Sequence, residues 1–491
     1  ELLGAFTMAL LVTALFASPG AGAKVEQWYK YANSDCGHED VTPQPPCAGT
    51  GSGWGNISAL KACCLGTPDC VGFNTHNVIK TSGCAARVAP AKCDLYLRQR
   101  LPPAPPQPLP YPVPASQRQS VGLWPLPRKV SHGGAIMGGS PSELRLGPAF
   151  SLRVVGGASP TLTAVIQRYT QLVLIHGAPA AVNNGTQLDE CMIAVDSTTE
   201  VLHTGMDESY ALNVTVSPIP RCHIEAATFV GALYGLETLS QLVLSDGRTG
   251  PSATAAPVYT LPEAPWYIVD APRFPFRGLM VDTARHFLPL NALRRQIDGL
   301  SFSRMNVLHW HMTDAQSTPY DSAAFPELKR GAFAPGLTYS AADIAAIVEY
   351  ARVRGVQVLL EVDMPGHNYA FGVGYPELIV NCTAMYPLET EFWCSSFALY
   401  RGEVVYDFLQ KLLAELTAIV PNAHFHIGGD EVQYKCWQTD PAMVAYLTQR
   451  NISQLALYRE FESRVFDILA GLGKAPMFWN SVLDAGVAIP P

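Results

Sequence analysis

The second half of the chain alternates short apolar runs with longer segments whose apolar residues recur at helical spacing. The runs predict five strands: Gly278–Val281, Asn306–His311, Val356–Val362, His424–Ile427 and Pro476–Trp479. The segments between them predict helices near residues 291–303, 341–354, 402–418 and 453–472. Repeated strand–helix units imply a parallel sheet, so residues 273–491 are assigned to the α/β class.

In a secreted chain, a (β/α)8 barrel of the TIM type is the closure expected for such repeats. The 491-residue chain supplies about five of the eight units, so the predicted barrel is incomplete. Five strands leave an open sheet edge and exposed apolar faces. A fragment of a longer protein is the expected explanation, and a genuinely truncated paralogue is the alternative.

Residues 122–272 follow a different pattern and are predicted to form an α+β domain. Strands are expected at Gln171–Ile175, Met192–Val195 and Tyr210–Val216, and apolar residues at helical spacing run from Ala226 to Val243. Cys191 and Cys222 flank two of these strands and are candidates to pair. This region shows no catalytic constellation, so we expect it to buttress the domain that follows.

Residues 24–98 contain seven cysteines, a density that predicts a small disulfide-stapled module. Its runs Leu60-Lys-Ala-Cys-Cys64 and Pro68-Asp-Cys-Val-Gly-Phe-Asn74 resemble the PAN/apple family, whose members bind proteins or carbohydrates. The alternative is a stapled spacer without a ligand. Residues 99–121 are proline-rich and are predicted to form an extended linker.

Residues 1–23 have the apolar run and small-residue cleavage site of a partial signal peptide, and the run is too short to favour a membrane anchor. Twelve cysteines and five Asn-x-Ser/Thr sequons predict an oxidising secretory route to an extracellular, vacuolar or lysosomal destination. The net charge of −8 and the lack of a long basic run argue against nucleic acid as a partner.

Polar residues cluster where the five predicted strands end. The end segments are Asp282–His286, His309–Asp314, Glu361–His367, Asp430–Glu431 and Trp479–Asn480. In a barrel these ends share one face, where active sites lie. His309 and His311 alternate along their strand, but no helical HExxH motif or closed Cys/His set accompanies them. We therefore predict no metal and no cofactor, and expect at least one of these histidines to be hydrogen-bonded in the interior.

Asp430 and Glu431 follow the predicted strand His424–Ile427 and two glycines. Neighbouring strand residues point to opposite faces, so both acids can face one pocket only if the glycines let the chain bend. Two adjacent carboxyls repel each other, so one of them tends to hold its proton. Alone, the tetrapeptide Gly428-Gly-Asp-Glu431 also fits a solvated loop. Diguanylate cyclases share it, but there Phe normally follows, whereas Val432 follows here.

Taken together, these segments resemble glycoside hydrolase family 20, the β-N-acetylhexosaminidases. The matching runs are Arg277-Gly-Leu-Met-Val-Asp-Thr-Ala-Arg-His-Phe287, Asn306-Val-Leu-His-Trp-His311 with Asp314, Asp363-Met-Pro-Gly-His367, and His426-Ile-Gly-Gly-Asp-Glu431. The resemblance extends over residues 122–491 and leaves out the cysteine-rich module. It implies an exo-acting enzyme that hydrolyses terminal β-linked GlcNAc or GalNAc in glycoconjugates or chitooligosaccharides.

The resemblance also implies a retaining mechanism in which the substrate's own acetamido oxygen attacks the anomeric carbon. By position, Glu431 is the general acid and later the base. Asp430 orients the acetamido N–H and stabilises the positive charge of the oxazolinium intermediate. Asp314 and His367 form a polar chain that tunes the acid.

Other positions implied by the resemblance hold the sugar or the loops. Arg285 would bind sugar hydroxyls, with a structural ion pair as its alternative, and Trp479 would line the sugar pocket, with an ordinary core position as its alternative. Cys382 and Cys436 match a family disulfide, although Cys394 competes as a partner.

The family's last strands supply two tryptophans, a tyrosine and an acid that have no counterpart in this chain. A non-catalytic paralogue that binds carbohydrate or protein therefore remains as the alternative function. Members of the family are often dimers, so a homodimer is an expectation for a full-length protein. No stable membrane span is expected.

Overall fold

The computed structural model describes residues 122–133, 142–156, 158–181, 186–246, 256–380 and 395–489, and the backbone of seven short strands between residues 27 and 99. The chain divides into two compact units, residues 1–114 and 115–491. The signal peptide and all seven cysteines predicted to staple the N-terminal module lie outside the described residues, as does nearly all of the proline-rich linker.

The first unit contains antiparallel strands only, within the part that is described. Five of them form one sheet, in the order Gln27–Tyr31, Leu95–Gln99, Gly72–Asn74, Ile79–Lys80 and Asp40–Val41. Two more strands, Ser34–Asp35 and Arg87–Val88, pair with each other.

The second unit begins with a mixed sheet carrying two helices. Its elements are β1 (Lys129–His132), β2 (Ser142–Val155), α1 (Pro160–Val173), β3 (Thr186–Val195), β4 (Tyr210–Thr215), β5 (Arg221–Ala226), α2 (Phe229–Leu242), β6 (Leu244–Ser245), β7 (Tyr259–Ala264) and β8 (Trp266–Asp270). The sheet order is β6-β7-β2-β3-β5-β4-β8-β1. Helices α1 and α2 contact each other and the sheet, and so form a second layer.

The predicted strand at Gln171–Ile175 is wrong, because its first residues form the last turn of α1. Leu162, Val165, Tyr169 and Val173 are buried in that helix at intervals of three and four residues. The apolar run therefore continues a helical period that begins upstream.

The predicted pairing of Cys191 with Cys222 is confirmed by a disulfide between them. The two cysteines do not flank the strands but lie within β3 and β5, which pair in parallel with Cys191 directly opposite Cys222. The bond thus links two neighbouring strands inside the sheet.

The rest of the second unit consists of parallel strands alternating with helices. Its elements are β9 (Gly278–Asp282), α3 (Leu290–Phe302), β10 (Val307–Thr313), β11 (Tyr320–Asp321), β12 (Tyr339–Ser340), α4 (Ala341–Arg352), β13 (Gln357–Val362), α5 (Tyr369–Gly374), α6 (Glu403–Ile419), β14 (His424–His426), α7 (Tyr434–Thr439), α8 (Pro441–Arg450), α9 (Gln454–Gly471), β15 (Ala475–Met477) and α10 (Asn480–Asp484). Short 3-10 turns span Pro326–Gly331, Pro376–Leu378 and Leu399–Arg401.

Five of these strands form a parallel sheet in the order β9-β10-β13-β14-β15. The predicted α/β class is thereby confirmed, and each predicted strand lies within two residues of its observed bounds. Every residue of β10 and β13 is buried, as expected for central parallel strands covered on both faces. The edge strand β9 instead exposes Leu279 and Met280. Closure into a full barrel stays a prediction.

A buried polar cluster, which we call the seam cluster, joins the mixed sheet to the amino ends of β9 and β10. Arg277 Nη2 pairs with Glu208, and Asn306 Nδ2 donates to Glu208 Oε1 at 2.8 Å. Arg277 Nε donates to the Arg304 carbonyl at 2.7 Å, and Arg304 Nη1 pairs with Asp270 Oδ2 at 2.5 Å. These contacts hold both parts of the second unit together. Across the described residues, no helix has the length and apolarity required to cross a bilayer.

Candidate active site

The carboxyl ends of the five parallel strands bring the predicted site residues to one edge of the sheet. The residues that follow the strands in chain order are Arg285, Asp314, His367, Asp430, Glu431 and Trp479.

The turn after β14 directs the two acids out of the strand. Gly428 and Gly429 have φ of 69° and 95°, in the left-handed region that favours glycine. A Cβ on Gly428 would lie 1.8 Å from Asp363 Oδ1, so no side chain fits there. Glu431 also has a positive φ, 52°, which is unfavourable for a residue with a side chain and persists only where surrounding contacts impose it. The bend expected from the two glycines is therefore present.

Asp314, His367 and Glu431 form a polar chain. His367 Nδ1 lies 3.2 Å from Asp314 Oδ1, and His367 Nε2 lies 3.5 Å from Glu431 Oε2. The His367 side chain is only 8% exposed, whereas that of Glu431 is 65% exposed. Burial, the largest single effect, would lower the pKa of His367, but the hydrogen bond to Asp314 and the negative charges of Asp314 and Asp430 together outweigh it and raise the pKa. A cationic imidazole is thus favoured beside Glu431.

Arg285 binds the acids of the first two strand ends. Its Nη1 donates to Asp282 Oδ2 at 2.8 Å, and its Nη2 lies 2.6 Å from Asp314 Oδ2. The side chain remains 37% exposed, so an ion-paired arginine still presents part of its guanidinium to solvent. Burial would raise the pKa of Asp314, but His311, His367 and Arg285 hold that pKa well below its usual range.

Glu361 is central to the site. It begins one of the predicted strand-end segments, but no role was predicted for it. It is fully buried at the end of β13. His309 Nε2 lies 2.5 Å from its Oε2, His311 Nδ1 3.0 Å from Oε2, and His426 Nδ1 3.3 Å from Oε1. Trp479 Nε1 donates to Oε1 at 3.0 Å. The expectation that an interior histidine would come from the pair His309 and His311 is confirmed, since both contact Glu361.

These contacts fix the charges beneath the site. Burial alone would raise the pKa of Glu361, but hydrogen bonds from His309 and His311 hold it far below its usual range. Burial would lower the pKa of His311, yet its bonds to Asp314 and Glu361 raise it to about 10. For His426, burial prevails over Glu361 and lowers the pKa. The site floor therefore carries an ionised glutamate and a cationic His311.

Several of these side chains have spacing suited to a metal ion, among the residues that the structure describes. One such group is His309, Glu361 and His426, whose ligand atoms lie within 4.8 Å of one another. His309 Nε2 is already hydrogen-bonded to Glu361 Oε2, and His426 Nδ1 already accepts from the Gly428 N–H at 3.2 Å, so a cation would have to displace both hydrogen bonds. The absence of a metal stays a prediction.

Asp430 and Asp363 are two close carboxyls in different environments. Asp363 is almost completely buried, and burial together with the negative charge of Asp430 raises its pKa well above the usual value. Gly429 N donates to Asp363 Oδ1 at 3.1 Å. Asp430 Oδ1 is buried and accepts no hydrogen bond from any described residue. It is therefore an acceptor available to a bound group.

Trp479 covers the histidines at the end of β15. Its ring centroid lies 4.7 Å from that of His426 and 5.5 Å from that of His309. Its backbone N–H donates to the Gly428 carbonyl at 2.8 Å, which ties it to the acid-bearing turn. The indole is only partly buried, so it can present a face to a ligand.

Of the two cysteines predicted to join the loops through a disulfide, Cys436 lies within the described residues. Cys436, in α7, is disulfide-bonded. Cys382 and Cys394 lie outside the described residues, so the pairing of Cys436 with Cys382 stays a prediction.

Comparison with known proteins gives two family matches. Residues 274–491 match the family model described as glycosyl hydrolase family 20, catalytic domain, and residues 123–242 match a model described as beta-acetyl hexosaminidase like. The chain is 34% identical to beta-hexosaminidase 1 of Arabidopsis thaliana, over 74% of this chain and 65% of that protein. It is 31% identical to the beta-hexosaminidase subunit beta of Sus scrofa, over 75% of this chain and 68% of that protein.

A solved structure is also similar to this chain. The chitobiase of Flavobacterium johnsoniae superimposes with a TM-score of 0.62 and 28% identity, covering 74% of this chain and 53% of that one. The chain matches 65%, 66% and 62% of the length of three of the curated relatives, slightly less than two thirds of each.

Proposed function

Since this chain belongs to glycosyl hydrolase family 20, we propose that it is a β-N-acetylhexosaminidase that removes terminal β-linked GlcNAc or GalNAc from glycans. The observation that carries the proposal is the contrast between two adjacent acids at one sheet edge. Glu431 is exposed and lies next to His367, whereas Asp430 holds a buried oxygen without a partner among the described residues. Glu431 can therefore protonate a leaving group, while Asp430 can accept a hydrogen bond from an N–H group of the substrate.

The proposed reaction retains configuration because the substrate supplies the nucleophile. The carbonyl oxygen of the 2-acetamido group attacks C1, the bond from C1 to the glycosidic oxygen breaks, and that oxygen takes a proton from Glu431. The ring-closed oxazolinium is then opened at C1 by water, whose proton passes to Glu431. Both displacements occur on opposite faces of C1, so the product keeps the β configuration, and no cofactor is required.

His367 and Asp314 are proposed to control the proton on Glu431. A cationic His367 near the Glu431 carboxylate stabilises the charge left after proton transfer, and Asp314 in turn stabilises the imidazolium. The contact of 3.5 Å between His367 Nε2 and Glu431 Oε2 is longer than a hydrogen bond, as is common before a substrate is bound.

The other site residues are proposed to hold the sugar. Asp430 Oδ1 accepts the acetamido N–H, which aims the carbonyl oxygen at C1 and places a negative charge beside the oxazolinium. Arg285 donates its exposed N–H groups to sugar hydroxyls. Trp479 provides an apolar wall for the acetamido methyl and the ring.

We also propose that the protein acts in the secretory pathway or in a compartment that it supplies. The disulfide between Cys191 and Cys222 supports an oxidising route, since such bonds are rare in reducing compartments. A clamp from Cys382 to Cys436 and a homodimer of the full-length protein are part of the same proposal.

The test is the substitution Glu431→Gln in the full-length protein, assayed with a chromogenic N-acetylglucosaminide. We expect kcat to fall by about 10²–10⁴-fold while sugar binding persists, because the amide cannot supply the proton. Glu460→Gln, which alters a partly exposed acid paired with Arg450, is the matched control and should leave kcat unchanged. Turnover unaffected by Glu431→Gln would overturn the assignment of the acid. Binding without turnover in the unsubstituted protein would support the non-catalytic paralogue instead.

A further inference from the structure

Helix α9 places a buried tyrosine behind the turn that carries the two acids. The hydroxyl of Tyr458 donates a hydrogen bond to the carbonyl oxygen of Gly429 at 2.6 Å, and Tyr458 is only 1% exposed. That carbonyl belongs to the peptide that links Gly429 to Asp430. The tyrosine therefore fixes the orientation of the peptide plane directly before the acid pair.

Glu462 lies four residues further along α9, on the same helix face as Tyr458. It is fully buried, and neither carboxyl oxygen makes a hydrogen bond to any described residue. Its Oε1 lies 3.4 Å from the point where a Cβ on Gly429 would be, and the Tyr458 hydroxyl lies 3.3 Å from the same point. The Tyr458 hydroxyl and the Glu462 carboxyl group thus both lie close to Gly429. The proposed reaction uses neither group.

The protonation state of Glu462 decides what it can do there. Burial raises its pKa well above the usual value, because the charged form has lost its water. A neutral carboxylic acid is both a donor and an acceptor of hydrogen bonds. Its O–H can therefore donate to the Tyr458 oxygen, whose own hydrogen points to the Gly429 carbonyl.

The acid-bearing turn needs such support because the acids are not held by their own side chains. Asp430 Oδ1 has no partner among the described residues, and Glu431 has a positive φ that its surroundings must impose. Other backbone anchors of the turn include the bonds from Gly429 N to Asp363, from Gly428 N to His426 Nδ1 and from Trp479 N to the Gly428 carbonyl. Tyr458 is the anchor that comes from a helix.

We propose that Tyr458 and Glu462 are positioning residues for Asp430 and Glu431. Tyr458 donates to the Gly429 carbonyl. In this proposal a protonated Glu462, whose oxygens make no other hydrogen bond to a described residue, turns its O–H to the Tyr458 oxygen, so that each bond polarises and strengthens the next. The inference rests on the proposed function, because it assigns the two residues a part in the same reaction. They touch neither substrate nor reacting atoms and act through the backbone of the turn.

Tyr458→Phe in the full-length protein is the first test. We expect kcat to fall by about 10–100-fold with KM little changed, since small displacements of reacting groups lower rates by this order. The loss should be larger for a glycoside with an alkyl leaving group than for one with an acidic phenol, which needs less protonation by Glu431. A general loss of folded protein would lower turnover of both substrates equally.

The matched control is Tyr406→Phe. Tyr406 is also buried in the same core and packs against Phe461 of α9, with ring centroids 6.0 Å apart. Its substitution removes the same hydroxyl from a site away from the turn. We expect kcat and the dependence on the leaving group to stay at the level of the unsubstituted protein.

Glu462 is tested by a pair of variants. Glu462→Gln keeps a donor and should retain kcat within about threefold, whereas Glu462→Leu removes it and should reproduce the loss seen in Tyr458→Phe. The double variant Tyr458→Phe/Glu462→Leu should be no worse than Tyr458→Phe alone, because the two groups act in series.

The outcomes separate this inference from the proposed function. Equal kcat for Glu462→Gln and Glu462→Leu, or an unchanged leaving-group dependence in Tyr458→Phe, would overturn the inference and leave the function standing. If Tyr458→Phe does not fold, the two Glu462 variants decide. Absence of turnover in the unsubstituted full-length protein would overturn both.

Discussion

The parallel sheet carries a charged cluster at each end of its strands, and the two clusters differ in what they leave open. In the seam cluster at the amino ends, Arg277 and Asn306 donate to the same carboxylate, Glu208, and the group is closed by protein partners. At the carboxyl ends, Glu431 is largely exposed and Asp430 keeps a buried oxygen that no described residue fills. Similar residue types therefore hold the two parts of the second unit together at one end of the strands. At the other end they leave hydrogen-bond acceptors for a ligand.

The largest contrast is expected from removing one arginine at each end. Arg277→Ala leaves buried Glu208 without its cation, which should lower the free energy of unfolding by about 3–5 kcal/mol while the folded fraction keeps its kcat. Arg285→Ala should lower stability by no more than about 1 kcal/mol, because Arg285 is partly exposed and Asp314 keeps His311.

The same Arg285→Ala variant should lose about 10²-fold in kcat/KM through the lost contact with the sugar. Denaturant unfolding and steady-state kinetics on both variants measure the contrast. Equal stability losses, or a catalytic defect in folded Arg277→Ala, would remove the distinction between the two clusters.

The pH dependence of stability should have opposite signs at the two ends. The pKa of Asp314 is lowered, so its stabilisation is present above about pH 4, the value in an unfolded chain, and is lost as pH falls. The pKa of Glu208 is raised, because burial outweighs its pairing with Arg277. Its stabilisation is present below about pH 4 and is lost as pH rises through the raised pKa.

Unfolding of the Asp314→Asn and Glu208→Gln variants between pH 3 and 7 tests this contrast. The stability deficit of Asp314→Asn should grow with pH to about 2–3 kcal/mol, and the deficit of Glu208→Gln should shrink over the same range. Parallel slopes for the two variants would contradict the assignment of opposite pKa shifts.

The smallest expected effect is a gain of stability. Asp430 is adjacent to Asp363, whose pKa its charge helps to raise, so Asp430→Asn should relieve repulsion and stabilise the fold by about 1 kcal/mol. Turnover should fall at the same time. In the seam cluster the matched change Asp270→Asn weakens the pair with Arg304 and should lower the melting temperature. A loss of stability in Asp430→Asn would show that the site carries no such conflict.

The strands of the parallel sheet could be predicted because each is a short apolar run between helical periods. The run around Gln171 misled for the same reason, since an apolar stretch at the end of α1 reads as a strand when considered alone. The acids after Gly428 and Gly429 could be placed from the glycines and their neighbours. The physical signal was local in each of these cases.

The contacts that escaped prediction are not local. Glu361 reads as one acid within an apolar strand, and only the fold brings three histidines and Trp479 to it. An isolated acid in a buried run is itself a signal, because burying a carboxylate requires partners. Tyr458 and Glu462 give no such signal, since a tyrosine and a glutamate are ordinary on a helix and their role depends on how α9 folds back.

The bond between Cys191 and Cys222 also affects how the chain responds to a protease. The two cysteines are 31 positions apart, and the segment between them closes a covalent ring that includes β4. A single backbone cut in the segment between β3 and β4 would therefore release nothing, because the two pieces would stay joined through sulfur and through the paired strands. Such a nicked molecule would separate into two polypeptides only when a reductant and a denaturant were applied together.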